Sequence, residues 1–231
     1  MVGGSHKCRL PAASAAPPLS CQQRFDVASD VARGLEYLHV DADPPIIHQD
    51  VKSENILLGE YNGQLIAKIA DFGAVRIAPK LLTNTHYSAP DIIGTKPYQP
   101  PEYAMSGHVS EKTDTFAFGV VLLELLTARP PTNKEQNSFL YMDLLMVLRD
   151  AEAMLPALLD PTAGAWPMEK VLALASIARR CLEMIAQDRV AVREVLVELD
   201  VLAGRQAIRR AGRGEEYDPM TGELVACAKK H

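Results

Sequence analysis

Ile46-Ile47-His48-Gln49-Asp50-Val51-Lys52-Ser53-Glu54-Asn55 is the stretch on which the reading of this 231-residue chain turns, and Asp71-Phe72-Gly73 follows sixteen positions after Asn55. Acids, an amide and a lysine are gathered in a short loop-strand-loop unit. Phosphoryl transfer needs such a set: hard oxygen ligands for a divalent cation, a carboxylate to accept a proton and an ammonium group to meet a phosphate.

Upstream of this unit, Ser20 followed by Gln23 has the spacing of a capping box. Phe25, Ala28, Val31 or Ala32, Leu35 and Leu38 then recur at helical intervals. A helix is predicted from there to about His39, where Asp41-Ala42-Asp43-Pro44-Pro45 breaks it. Downstream, Asn55-Ile56-Leu57-Leu58 and Leu65-Ile66-Ala67-Lys68-Ile69 are β-prone, and Asn62-Gly63 between them is a hairpin turn signal. The two acidic motifs therefore sit at the ends of one small hairpin.

From Ala74 to Gln99 the chain is polar and broken by proline, and so long a stretch inside a compact domain reads as a functional loop. Thr115 to Thr127 is almost wholly apolar, which predicts a helix buried on all sides, ended by Pro130-Pro131. Pro167 opens an amphipathic helix carrying Val171, Leu174, Ala178, Leu182 and Ile185, and Val192 to Leu202 forms another. The expected organisation is an irregular, hinge-like segment over 1–19, one lobe over 20–203 and a charged tail over 204–231.

Composition narrows the classes. With 48% hydrophobic residues the chain can bury a substantial core. A net charge of -5 supplies no basic field for nucleic acid, which is excluded as an expected partner. Cys8, Cys21, Cys181 and Cys227 are scattered without paired spacing, so a reducing, cytoplasmic setting is expected rather than a zinc site or a disulfide framework. Pro11, Pro17 and Pro18 interrupt any signal-peptide core, and the apolar run Val120 to Leu126 carries Glu124, so no membrane span is expected.

The motifs, taken in order, resemble the large C-terminal lobe of eukaryotic-type protein kinases, nearest to the receptor-like and interleukin-receptor-associated serine/threonine group. The likeness runs from about Ser20 to Leu202. It rests on His48-Gln49-Asp50 with Lys52 and Asn55, Asp71-Phe72-Gly73, Gly94-Thr95, Pro100-Pro101-Glu102, Asp114 with Phe118-Gly119, and Asp188-Arg189. The resemblance implies a mainly α lobe, α+β by family, with the hairpin carrying both loops. It implies ATP and Mg2+ as cofactors and a protein substrate. Asp50 would orient the substrate hydroxyl and accept its proton, Lys52 would meet the transferring phosphate, and Asn55 and Asp71 would hold Mg2+. Leu57 would floor the adenine site, His48 and Phe72 would stack, and Asp114 would hold the catalytic-loop backbone. Glu102 and Arg189 would form a buried ion pair, and Thr95, like the Asp-x-Lys-x-x-Asn spacing, favours serine/threonine specificity.

Taken singly, these residues have plainer readings: a loop aspartate is usually a turn former and a lone histidine a core residue. Their order supports the sharper one. The charges near Arg209 and Arg210 read as a solvated tail.

Three departures from the family pattern bear on function. Gln49 stands where an arginine is usual, and a neutral amide cannot clamp an activation-loop phosphate with a charge-assisted pair. Control through Thr83, Thr85, Tyr87 or Ser88 is therefore not expected. Val190 and Pro100 replace a proline and an alanine. Finally, before His48 the sequence has one lysine, Lys7, and one glutamate, Glu36, with no glycine-rich phosphate loop. The expected lobe thus lacks the small β-rich partner lobe, so the chain by itself is expected to be inactive, and a partner is expected on the surface left bare. The alternative function is a pseudokinase-like binding module without turnover.

Overall fold

The computed structural model describes residues 17–77 and 94–205 in full, and the backbone alone of His6–Lys7, Tyr87–Ser88, Glu215–Tyr217 and Leu224–Cys227. Thr83, Thr85, Cys8, Arg209 and Arg210 lie outside the described residues, as does most of the expected tail.

Helix α1 (Cys21–Glu36) starts where Ser20 accepts a hydrogen bond from the Gln23 amide and the Gln23 side chain accepts one from the Ser20 amide. Both bonds satisfy amides that the first helical turn leaves orphaned. Its apolar face is fully buried, and after Glu36 the chain continues as one π-helical turn, Tyr37–Asp41. Strand β1 (His6–Lys7) is a short strand within the segment read as irregular, and Leu19 is buried in the core. After β2 (Ile46–Ile47), the hairpin forms from β3 (Ile56–Tyr61) and β4 (Gln64–Ile69), with Ile56 opposite Ile69 and Tyr61 opposite Gln64. Asn62 and Gly63 both take positive φ, 50° and 76°, which a two-residue turn of matching twist requires. Strand β1 pairs antiparallel with β3, Lys7 opposite Leu57. Strand β5 (Arg76–Ile77), just past the Asp-Phe-Gly turn, pairs with β2. Both acidic loops are thus stapled at their outer ends.

Short strand β6 (Tyr87–Ser88) pairs with β7 (His108–Val109), which follows α2 (Pro101–Ser106). Helix α3 (Glu111–Thr127) is the axis of the molecule, and every residue from Thr113 to Thr127 is buried. It begins four residues before the predicted Thr115 because Ser110 and Thr113 form a second capping box, a polar start that an apolar count does not register. It ends at Ala128 in left-handed conformation (φ 53°), ahead of the two prolines. Around α3 pack α1, α4 (Leu140–Arg149) and α6 (Met168–Cys181), with the short α5 (Ala151–Met154) between the last two. Helix α7 (Val192–Leu202) lies along α1.

Two readings need correction. Helix α6 closes at Cys181, so Leu182 is buried just beyond it and Ile185, 61% exposed, is not a core residue. The helical count ran past the end because Leu182 extends the apolar pattern into a turn. Helix α4 was not read at all. Outside these points the architecture is mainly α with small antiparallel sheets.

The meeting of α3 with the end of α6 depends on Gly119. A Cβ there would stand 2.8 Å from Leu182 Cγ and 2.9 Å from Cys181 Cβ. Both neighbours are fully buried and cannot yield cheaply. Gly119→Ala is expected to lower stability by about 1 to 3 kcal/mol in urea denaturation.

Candidate active site

The loop between β2 and β3 is held from below by α3. The buried Asp114 carboxylate accepts hydrogen bonds from the backbone amides of His48 and Gln49, each at 2.8 Å, and lies 2.8 Å from His39 Nε2 at the π-helical turn. Two consecutive amides pointing at one carboxylate force the chain to bend, and Gln49 takes a left-handed φ of 67°. The Gln49 side chain is buried with both amide atoms unpartnered among the described residues. Its position therefore adds a desolvation cost that a neutral apolar side chain would not carry.

Beyond this bend the polar side chains converge. Lys52 Nζ donates to Asp50 Oδ2 at 2.7 Å and to Thr95 Oγ1 at 2.9 Å, and Thr95 Oγ1 donates to Asp50 Oδ1 at 2.8 Å. Asn55 Nδ2 donates to the Asp50 carbonyl at 2.8 Å and to Asp50 Oδ2 at 3.0 Å. Four residues named from sequence are joined in this way, with Asp50 at the centre. Thr95 arrives from a different segment, and Gly94 makes the approach feasible: at φ 100°, a Cβ on it would sit 2.6 Å from the Gln49 carbonyl oxygen.

Asp71 caps a short 3-10 turn, accepting from the Gly73 amide at 3.3 Å, with left-handed backbone and an exposed side chain. Phe72 meets the His48 ring edge-on at 5.1 Å, and His48 Nε2 lies 3.2 Å from the Ala70 carbonyl oxygen. Leu57 is half-buried on β3, opposite Lys7. Glu102 and Arg189 pair bidentately at 2.7 and 3.2 Å, and Arg189 also donates to the carbonyls of Lys112 and Glu183. This pair fixes α2 rather than touching the Asp50 cluster, and it is buried on the Arg189 side alone, Glu102 being half-buried.

Sequence reasoning missed three residues beside the cluster: Ser53, Tyr98 and Glu124. The signal available was a single acid, Glu124, inside an otherwise apolar helix, a position carboxylates rarely occupy without partners. Burial pushes the Glu124 carboxyl up to about 8, against the downward pull of hydrogen bonds from Tyr98 and Ser53.

A hairpin with an acidic loop at each end, clamped to a buried helix, is thus the arrangement into which the Asp50 and Asp71 motifs fold. The family model described as the protein kinase domain matches residues 7–198, and the chain belongs to that family. It is 35% identical over 86% of its length to chitin elicitor receptor kinase 1 of Physcomitrium patens, and 38% identical over 83% to a probable receptor-like protein kinase of Arabidopsis thaliana. To the serine/threonine-protein kinase PBL27 of Arabidopsis thaliana it is 36% identical over 89%. It spans 32%, 52% and 40% of the lengths of these three relatives. No helix among the described residues is long and apolar enough to cross a membrane.

Asp114→Asn replaces one acceptor oxygen by a donor facing amides that themselves donate. It is expected to cost about 1 to 3 kcal/mol and to raise hydrogen exchange at the His48 and Gln49 amides selectively.

Proposed function

We propose that this chain supplies the catalytic lobe for transfer of the ATP γ-phosphoryl group to a protein serine or threonine hydroxyl. The observation that carries the reading is the closed network of Asp50, Lys52, Asn55 and Thr95. In it Asp50 is held as an acceptor: a substrate hydroxyl entering the place of the Thr95 hydroxyl would meet a carboxylate already oriented to take its proton. Lys52, released from one partner, would meet the transferred phosphate.

The donor set fits a hard cation. The Asn55 amide nitrogen is spent on Asp50, which leaves its oxygen for a metal, and the exposed Asp71 carboxylate keeps one oxygen clear of the Gly73 amide. Bound Mg2+ would neutralise the triphosphate, and Leu57 would lie under the adenine. Serine/threonine specificity is supported by the Lys52–Thr95 contact. A cytoplasmic setting accords with Cys21 and Cys181, which are unpaired among the described residues.

A second reading, a protein-binding module without turnover, is favoured by the apolar surface beside the Asp-Phe-Gly turn. Phe72 and Ile77, 49% and 65% exposed beside the Asp-Phe-Gly turn, would then offer apolar surface to a partner.

Thermal unfolding with nucleotide tests the metal site that the first reading needs. Mg-ATP at about 100 times its dissociation constant is expected to stabilise the chain by about 2.7 kcal/mol, and Asp71→Asn to remove the Mg2+-dependent part. Stabilisation by ATP that is indifferent to both Mg2+ and Asp71 overturns the metal assignment. Radiolabelled phosphate transfer to protein, assayed alongside, decides between catalysis and binding alone.

A further inference from the structure

Next to the Asp50 cluster lies a second polar group, wholly enclosed. Ser53 Oγ is 3.1 Å from Glu124 Oε1, Tyr98 OH is 2.9 Å from Glu124 Oε2, and Ser53 Oγ is 3.2 Å from Tyr98 OH. Glu124 and Tyr98 are each 3% exposed and Ser53 9%. The three contacts close a ring, and a ring of three hydrogen bonds needs three protons. Two hydroxyls supply two. With Glu124 ionised, both hydroxyls donate to the carboxylate and the Ser53 and Tyr98 oxygens face each other with no proton between them. A proton on the carboxyl completes the circuit: Glu124 donates to Tyr98, Tyr98 to Ser53, and Ser53 back to the other Glu124 oxygen.

We propose that Ser53, Tyr98 and Glu124 form a proton-closed positioning ring that ties the catalytic loop and the Gly94–Tyr98 segment to α3. Ser53 is the residue after Lys52, and Tyr98 stands three residues after Thr95, so the ring grips both strands of chain that meet at Asp50. Its role in positioning rests on the kinase reading above; the proton itself does not.

The surroundings agree. Among the described residues no cation bonds the Glu124 carboxyl. Arg24, which reaches the neighbouring Leu125 carbonyl from α1, is spent on Asp160, and Lys52 is spent on Asp50 and Thr95. The charged group that does face the ring is Glu54, whose carboxylate lies 3.4 Å from Ser53 Oγ and opposes a second negative charge. The folded carboxyl titrates at about 8 against an ordinary 4.5, so between these values the folded chain holds a proton that the unfolded chain has lost. Stability from the ring is therefore complete at low pH, falls as pH rises, and levels off above the folded value.

Glu124→Gln is the discriminating variant, because a neutral amide donates through nitrogen, accepts through oxygen and closes the same ring at every pH. Relative to it, the wild-type unfolding constant is expected to rise about tenfold per pH unit across this window. The infrared spectrum of the wild type near neutral pH is expected to show the carbonyl band of a protonated, hydrogen-bonded carboxylic acid that Glu124→Gln lacks. Protection factors at Lys52 to Asn55 and at Thr95 are expected to drop in alkaline solution in the wild type and to hold in Glu124→Gln, a change that mere core packing would not produce. Should Glu124→Gln fail to fold, Ser53→Ala serves: removing one hydrogen bond shifts the acid band without abolishing it. A missing acid band, or a stability difference flat with pH, overturns the ring. Loss of nucleotide binding or phosphate transfer with band and pH profile intact overturns the kinase reading alone.

Discussion

The Asp114 carboxylate is the constraint from which the rest of the site follows. The loop between β2 and β3 has no ladder of its own to hold it, and here one buried acid on the central helix takes two successive backbone amides and a histidine. The bend it imposes turns Gln49 inward and Asp50 outward, and the Asp50 network then assembles on a backbone whose direction is already fixed. That the acid sits on α3, the most enclosed element, means the loop inherits the rigidity of the core instead of the mobility usual for connections.

Charge in this lobe is placed where it ties distant segments together. Arg24, fully buried, bonds the Leu19 and Leu125 carbonyls and pairs with Asp160, which in turn accepts from the Thr162 amide and hydroxyl. Arg189 does the same at the opposite corner with Glu102 and two carbonyls. A buried ion pair adds little net stability over a well-packed apolar substitute, but one left with a single partner is costly. Such pairs enforce a particular arrangement of segments more than they strengthen it.

The sequence was most legible where chemistry and local geometry coincide. The Ser20 cap, the Asn62-Gly63 turn and the apolar α3 are each written in a few neighbouring residues, and the positions of Asp50, Lys52, Asn55 and Thr95 could be named because the motif order brings them into one loop system. What stayed hidden depends on residues far apart in the chain. The pairing of Ser53 with Glu124 spans 71 residues, and nothing in either neighbourhood announces the other. Helix α4 does carry a local signal, since its buried residues Leu140, Tyr141, Leu144, Val147 and Leu148 recur at helical spacing, but no side-chain cap marks its start. Ile185 was misplaced for the opposite reason, since a periodic apolar count continues through a turn that tertiary structure dictates.

The juxtaposition of α1 and α7 has a consequence for how the molecule comes into being. Ser29 and Arg33 on α1 bond Asp200 on α7, and Arg205 just beyond reaches Asp30, so the first long helix is completed by the last. Contacts separated by 171 to 181 residues close long loops of chain, and chains dominated by such closures fold slowly. During synthesis α1 emerges before α7 and must wait for it to leave the ribosome before its polar face finds its counterpart. For that interval the nascent lobe carries the Asp50 loop on an unfinished frame, and the face of α1 that α7 will cover stays open to water.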